Sequence, residues 1–94
     1  MSVEMVPPVV FEVFTKPRCG QCEATVRLLD SLDAVVGIVD APEYMEMLRA
    51  EGFSEAPVVK VYRPSHEGVL DQWSGFRPDR IKAHLGVSRG RRSA

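Results

Sequence analysis

Val9-Val10-Phe11-Glu12-Val13-Phe14-Thr15-Lys16-Pro17-Arg18-Cys19-Gly20-Gln21-Cys22 is the stretch that decides the fold. Its first six residues are apolar except for Glu12, the pattern of a strand buried on both faces and hence covered by helices. Glu23 to Leu32 then carries an apolar stripe, Cys22, Val26, Leu29 and Leu32, at spacings of three or four, which predicts a helix from about Gly20 to Ser31. A Cys-x-x-Cys pair at such a strand-to-helix turn is the sequence form of a dithiol redox site. Cys19 falls where a helix begins. Unpaired backbone N–H groups and the positive end of the helix dipole stabilise an anion there, so a Cys19 thiolate forms more readily than that of a free thiol. Lys16 and Arg18 add positive charge beside it. Cys22 follows one helical turn later on the same face, within bonding reach and more buried, which makes Cys19 the attacking sulfur.

Cys-x-x-Cys is also half of a zinc site, but structural zinc takes four ligands. These two are the chain's only cysteines, and its two histidines, His66 and His84, stand 18 positions apart, not the roughly 4 to 6 of a zinc-binding pair. No metal and no other cofactor is expected.

Ninety-four residues make one domain, with 45% apolar and 27% charged residues in the range of ordinary globular chains. A net charge of −1 gives no global basic field for nucleic acid. No apolar run approaches the roughly 18 residues of a membrane span. Residues 1–8 read as a flexible leader without the basic and apolar regions of a signal peptide, residues 9–86 as the folded domain, and residues 87–94, with Arg89, Arg91 and Arg92, as a disordered tail. A dithiol that turns over, rather than a permanent staple, suits the cytoplasm.

Downstream of the first helix, Val35–Val39 predicts a second strand, parallel to the first. Asp40-Ala41-Pro42-Glu43 has the form of a capping box opening a helix whose apolar face is Tyr44, Met45, Met47 and Leu48, ended by Gly52. Val58–Tyr62 predicts a third strand, entered through Ala56-Pro57, a proline placed where a cis bond is plausible. Val69–Trp73 predicts a fourth strand in a hairpin with the third. A last helix begins near Pro78, buries Ile81 and Leu85, and stops at Gly86.

The resulting order, β-α-β-α-β-β-α with Cys-x-x-Cys after the first strand, is similar to the minimal thioredoxin fold: an α/β domain with a four-stranded mixed sheet flanked by three helices. Thr15-Lys16-Pro17-x-Cys19-x-x-Cys22 resembles the active-site entry of glutaredoxins and NrdH-redoxins. Ala56-Pro57-Val58-Val59 resembles the segment that holds their cis-proline. Trp73-Ser74-Gly75-Phe76-Arg77-Pro78-Asp79 resembles the WSGFRPD signature of the NrdH-redoxins. Three departures stand beside these: glycine at position 20, where an apolar residue or proline is commoner in that family, a longer Pro64–Leu70 hairpin, and a shorter second helix.

The resemblance implies a monomeric redox carrier, a dithiol donor to the large subunit of class Ib ribonucleotide reductase, reduced by thioredoxin reductase. It implies catalytic roles for Cys19 and Cys22, and a partner surface drawn from Lys16, Arg18, Gln21, Ala56, Pro57, Trp73, Ser74, Gly75, Phe76 and Arg77. Trp73 and Phe76 would form an exposed apolar patch or pack under the last helix; Arg77 and Asp79 would fix the loop. Ser74-Gly75-Phe76-Arg77 stands where glutathione-using glutaredoxins carry a Gly-Gly-x-x-Asp-type segment. The alternatives are a glutathione-dependent glutaredoxin and an iron–sulfur cluster carrier held through Cys19.

Overall fold

The computed structural model describes residues 9–64 and 67–86; the leader and tail expectations, and His66, lie outside them. The elements are β1 (Val10–Thr15), α1 (Gly20–Ser31), β2 (Val35–Asp40), a 3-10 turn (Ala41–Tyr44) running into α2 (Met45–Ala50), β3 (Val58–Tyr62), β4 (Asp71–Ser74) and α3 (Pro78–Leu85). The strands form one mixed sheet in the order β2-β1-β3-β4. β1 runs parallel to β2 and antiparallel to β3, and β3 is antiparallel to β4. No helix among the described residues is long and apolar enough to cross a membrane.

The central place of β1 follows from its composition. Phe11 and Val13 point to one face and pack with Val59, Val61, Leu29, Trp73 and Ile81. Phe14 points to the other and packs with Ala41, Leu48 and Val58. Both faces are therefore covered, the condition for a near-continuous apolar strand. Glu12, the polar exception, is half-buried and accepts a hydrogen bond from the Tyr62 hydroxyl at 2.9 Å. Lys60 in β3 is 5% exposed, and its ammonium is paired with the Glu51 carboxylate, the arrangement a buried charge requires.

Three local expectations differ from the structure. The helix expected to open at Asp40 is a 3-10 turn followed by six α-helical residues, and Asp40 makes no side-chain capping bond. Pro42 sits in that tight first turn. A 3-10 turn advances three residues per turn instead of 3.6, which breaks the phase of the apolar stripe. Leu48 is buried, whereas Tyr44 and Met47 are each 40% exposed. The fourth strand begins two residues later than its apolar run, at Asp71 opposite Val61. Leu70 still donates its N–H to the Val61 carbonyl at 2.7 Å, but Val69 faces solvent. β2, whose Val35–Val39 run carries no polar side chain, lies at the sheet edge, which exposes Val35 and Ile38.

Candidate active site

β1 delivers the chain to the turn Lys16–Arg18, and α1 begins at Gly20. Arg18 adopts a positive φ of 58°, a local backbone feature next to the first cysteine. Cys19 is the N-cap of α1, with extended backbone, and its Sγ accepts a hydrogen bond from the Cys22 N–H at 3.1 Å. Ser, Thr, Asp and Asn fill this position in most helices because their oxygens accept such a bond. Here a sulfur does so, which is the environment that stabilises a thiolate. Cys19 and Cys22 are joined as a disulfide with Cα atoms 5.2 Å apart. Cys19 is 8% exposed and Cys22 3%. The order of burial is as expected, but the contrast is small in the disulfide form. The cap geometry, not accessibility, singles out Cys19.

Lys16 and Arg18 are both exposed. A groove of about 730 Å³ starts at the two cysteines and runs between α1 and β2, over Val26, Val36 and Ile38, with Lys16 at its rim. Lys16 and Ala56 also line a common small cavity with Phe14 and Phe53, which brings the Ala56 segment beside the approach to Cys19. The Ala56–Pro57 bond is cis and Pro57 is fully buried.

The segment after β4 closes the site. Ser74 pairs with Val58 at the last rung of the β3–β4 ladder. The next two amides leave the ladder: Gly75 N–H donates to the Pro57 carbonyl at 2.8 Å, and Phe76 N–H donates to the Gln21 side-chain oxygen at 2.9 Å. Gly75 holds φ +88°, and a Cβ there would meet Gln21 Oε1 at 3.2 Å, so glycine fits on both counts. Arg77 and Asp79 make a two-pronged ion pair at 3.0 and 3.2 Å, the local link expected for this loop. The bond from Arg77 is the main reason the Asp79 carboxyl lies below its ordinary pKa.

Gln21, Pro57, Ser74, Gly75 and Phe76 thus converge with the disulfide. Trp73 does not join an exposed patch. It is 4% exposed, because pairing with Val59 turns it to the face covered by α3. There it stacks on His84 at 6.1 Å and lies under the Arg80 guanidinium at 5.0 Å. Of the two aromatics Trp73 and Phe76, the half-buried Phe76 is the one left at the surface. A polar cluster between β4 and α3, which no motif above marks, holds this arrangement. Asp71 accepts from Arg80 and, at 2.8 Å, from His84 Nε2. Burial pushes the Asp71 carboxyl up, but the hydrogen bonds from His84, Arg80 and the Gln72 N–H outweigh it and hold it below its usual value. Arg80 and His84 stand four apart on α3, and that i,i+4 spacing opposite a strand aspartate is the signal that points to them.

Four similarities bear on this geometry. Residues 11–62 match the glutaredoxin family model. The glutaredoxin-like protein NrdH of Escherichia coli is 39% identical over 72 residues, spanning 73% of this chain and 80% of that one. The chain belongs to the NrdH-redoxin family of glutaredoxin-like proteins. The solved NrdH-redoxin from E. coli, a protein described by a thioredoxin-like activity profile, superposes with a TM-score of 0.65 at 35% identity, covering 79% of this chain and 92% of that one. Schistosoma mansoni thioredoxin, at 18% identity and a TM-score of 0.63, shares the fold, covering 85% of this chain and 78% of that one. This NrdH-redoxin is therefore a glutaredoxin-like redox protein with a thioredoxin fold and a Cys19–Cys22 pair able to form a disulfide.

Proposed function

We propose that this NrdH-redoxin reduces protein disulfides, that its physiological acceptor is the large subunit of class Ib ribonucleotide reductase, and that thioredoxin reductase returns it to the dithiol. The observation that carries the reading is the Cys19 sulfur at the N-cap of α1 with its bonding partner one turn away.

The chemistry follows from that placement. In the reduced protein, Cys19 thiolate attacks one sulfur of the acceptor disulfide. The acceptor's S–S bond breaks, a Cys19–acceptor mixed disulfide forms, and the other acceptor sulfur leaves as a thiolate that takes up a proton. Cys22, deprotonated, attacks Cys19 Sγ. The mixed disulfide breaks, the second acceptor thiol is released, and the Cys19–Cys22 bond remains. Two electrons and two protons pass to the acceptor. The reductase, drawing on NADPH, reverses the change. The buried cis-proline segment offers backbone beside the site for an extended partner segment, as in strand addition.

The family-model match ends at residue 62, before the loop Trp73–Asp79, so the choice between glutathione and a protein reductant rests on that loop. A site for the tripeptide needs groups that take its carboxylates. Ser74-Gly75-Phe76 instead presents a half-buried ring, with the Gly75 and Phe76 amides already donating within the protein. We place the protein in the cytoplasm, as a monomer, where such a couple turns over.

The acceptor is tested by ribonucleotide reduction with the class Ib enzyme, using this protein as the sole dithiol and NADPH with thioredoxin reductase as the electron source. Turnover that depends on both cysteines supports the assignment. No turnover, under conditions where the reduced protein still opens other disulfides, rejects the reductase as acceptor.

A further inference from the structure

We propose that Gln21 is a positioning residue for partner recognition, acting through Phe76 and not by its own contact with the partner. The functional half of this proposal rests on recycling by thioredoxin reductase.

Gln21 lies between the two cysteines, in the first turn of α1. It is held at both ends. Its backbone carbonyl accepts from the hydroxyl of Thr25, a fully buried threonine, at 2.8 Å. Its side-chain oxygen accepts from the Phe76 N–H at 2.9 Å, 55 residues further along the chain. A backbone N–H can only donate, so this bond also fixes which way round the carboxamide stands.

The loop has little else to set its position against the disulfide. β4 ends at Ser74, so Gly75 and Phe76 have no ladder partners. Their two consecutive amides go to two different parts of the site: one to the Pro57 carbonyl, the other to Gln21. The Pro57 bond fixes the loop to the end of the sheet. The Gln21 bond is the one that fixes it to the redox turn. A Cβ at Gly75 would come within 3.2 Å of Gln21 Oε1, so the loop leaves room for this side chain by having glycine there. Phe76 follows directly, so its ring is placed relative to the Cys19–Cys22 bond by one carboxamide. Without it, Phe76 samples a wider range of positions, and a partner docking over the disulfide has to order the loop on binding.

The test uses the full chain with Gln21→Leu, near in size but without an acceptor, and Gln21→Glu, which keeps the acceptor oxygen. Two quantities are measured: amide hydrogen exchange at Phe76, and KM and kcat for thioredoxin reductase acting on each oxidised protein with NADPH. Gln21→Leu is expected to speed Phe76 exchange about tenfold and to raise KM about three- to tenfold, the range set by one net hydrogen bond, with kcat within about twofold. Gln21→Glu is expected to return both towards the native values. Faster exchange with unchanged KM would overturn the recognition role. Unchanged exchange would overturn the tether. Recovery of exchange without recovery of KM would mean that the carboxamide NH₂ touches the partner directly, which also overturns the proposal. If the native protein is reduced by glutathione and not by the reductase, the function proposed above fails, and the same KM comparison made with glutathione decides the role of Gln21.

Discussion

The two cysteines differ in what surrounds them, and on the proposed mechanism that difference sets their roles. Cys19 caps α1 and takes the Cys22 N–H; Cys22 lies inside the first turn against the core. A Cys22→Ser protein is expected to stop at the mixed disulfide, because the resolving sulfur is gone, whereas Cys19→Ser accumulates none. Adduct mass after incubation with a disulfide-bearing protein decides it, and equal trapping by both variants would reject the assignment. Tyr62 carries a separate, pH-dependent contribution to stability. Burial, then its hydrogen bond to Glu12, then the charges of Glu12 and Glu51 push its hydroxyl up to about 12 from 10.0. The fold favours the neutral phenol, so this contribution is complete below pH 10, falls as the unfolded chain ionises, and is lost as pH rises through about 12. Tyr62→Phe is expected to flatten the fall in denaturation midpoint over that window. An equally steep fall in the variant would show that other groups are responsible.

β4 and α3 are joined by a clasp in which one aspartate holds an arginine and a histidine over a buried indole. Because the Asp71 carboxyl is held below its ordinary range, its ionised form favours the fold above that range, and this is lost as acid protonates it. Asp71→Asn is expected to cost about 1.5 kcal/mol near neutral pH, the low end for a bond to charged groups because the pair is partly exposed, and to redshift Trp73 emission as α3 loosens. Denaturant titration followed by that fluorescence checks both. How far such features could be read from sequence depends on what determines them. β1, β3, α1 and α3 were legible, because apolar runs, a stripe of period 3.6 and the punctuation of Pro78 and Gly86 are local signals. α2 was legible as a helix, but its start and the exposure of Tyr44 and Met47 were not, since the 3-10 turn at Pro42 shifts its phase. The burial of Trp73 was left open between two readings and the Asp71 cluster was not legible, because the face a strand residue occupies depends on its register with β3. The cysteines, Pro57 and the Ser74–Phe76 loop were legible as motifs. The hydrogen bond that joins Gln21 to Phe76 was not, because 55 residues separate its ends.

The molecule as a whole brings three distant segments to one end of its sheet: the redox turn after β1, the proline before β3 and the loop after β4. Thiol exchange needs only the first. On the proposed function the other two shape what docks there, and the choice of reductant is made at them. In that loop the Gly75 and Phe76 amides already donate within the protein, which is the basis of the proposed preference for a protein reductant over glutathione. The most direct test is NADPH oxidation with the oxidised protein as electron acceptor, run once with thioredoxin reductase and once with glutathione and glutathione reductase, each coupled to a disulfide-bearing protein that regenerates the acceptor. Rapid, Cys19-dependent turnover with thioredoxin reductase and little with glutathione is the predicted result. Rapid turnover with glutathione and none with thioredoxin reductase would contradict it.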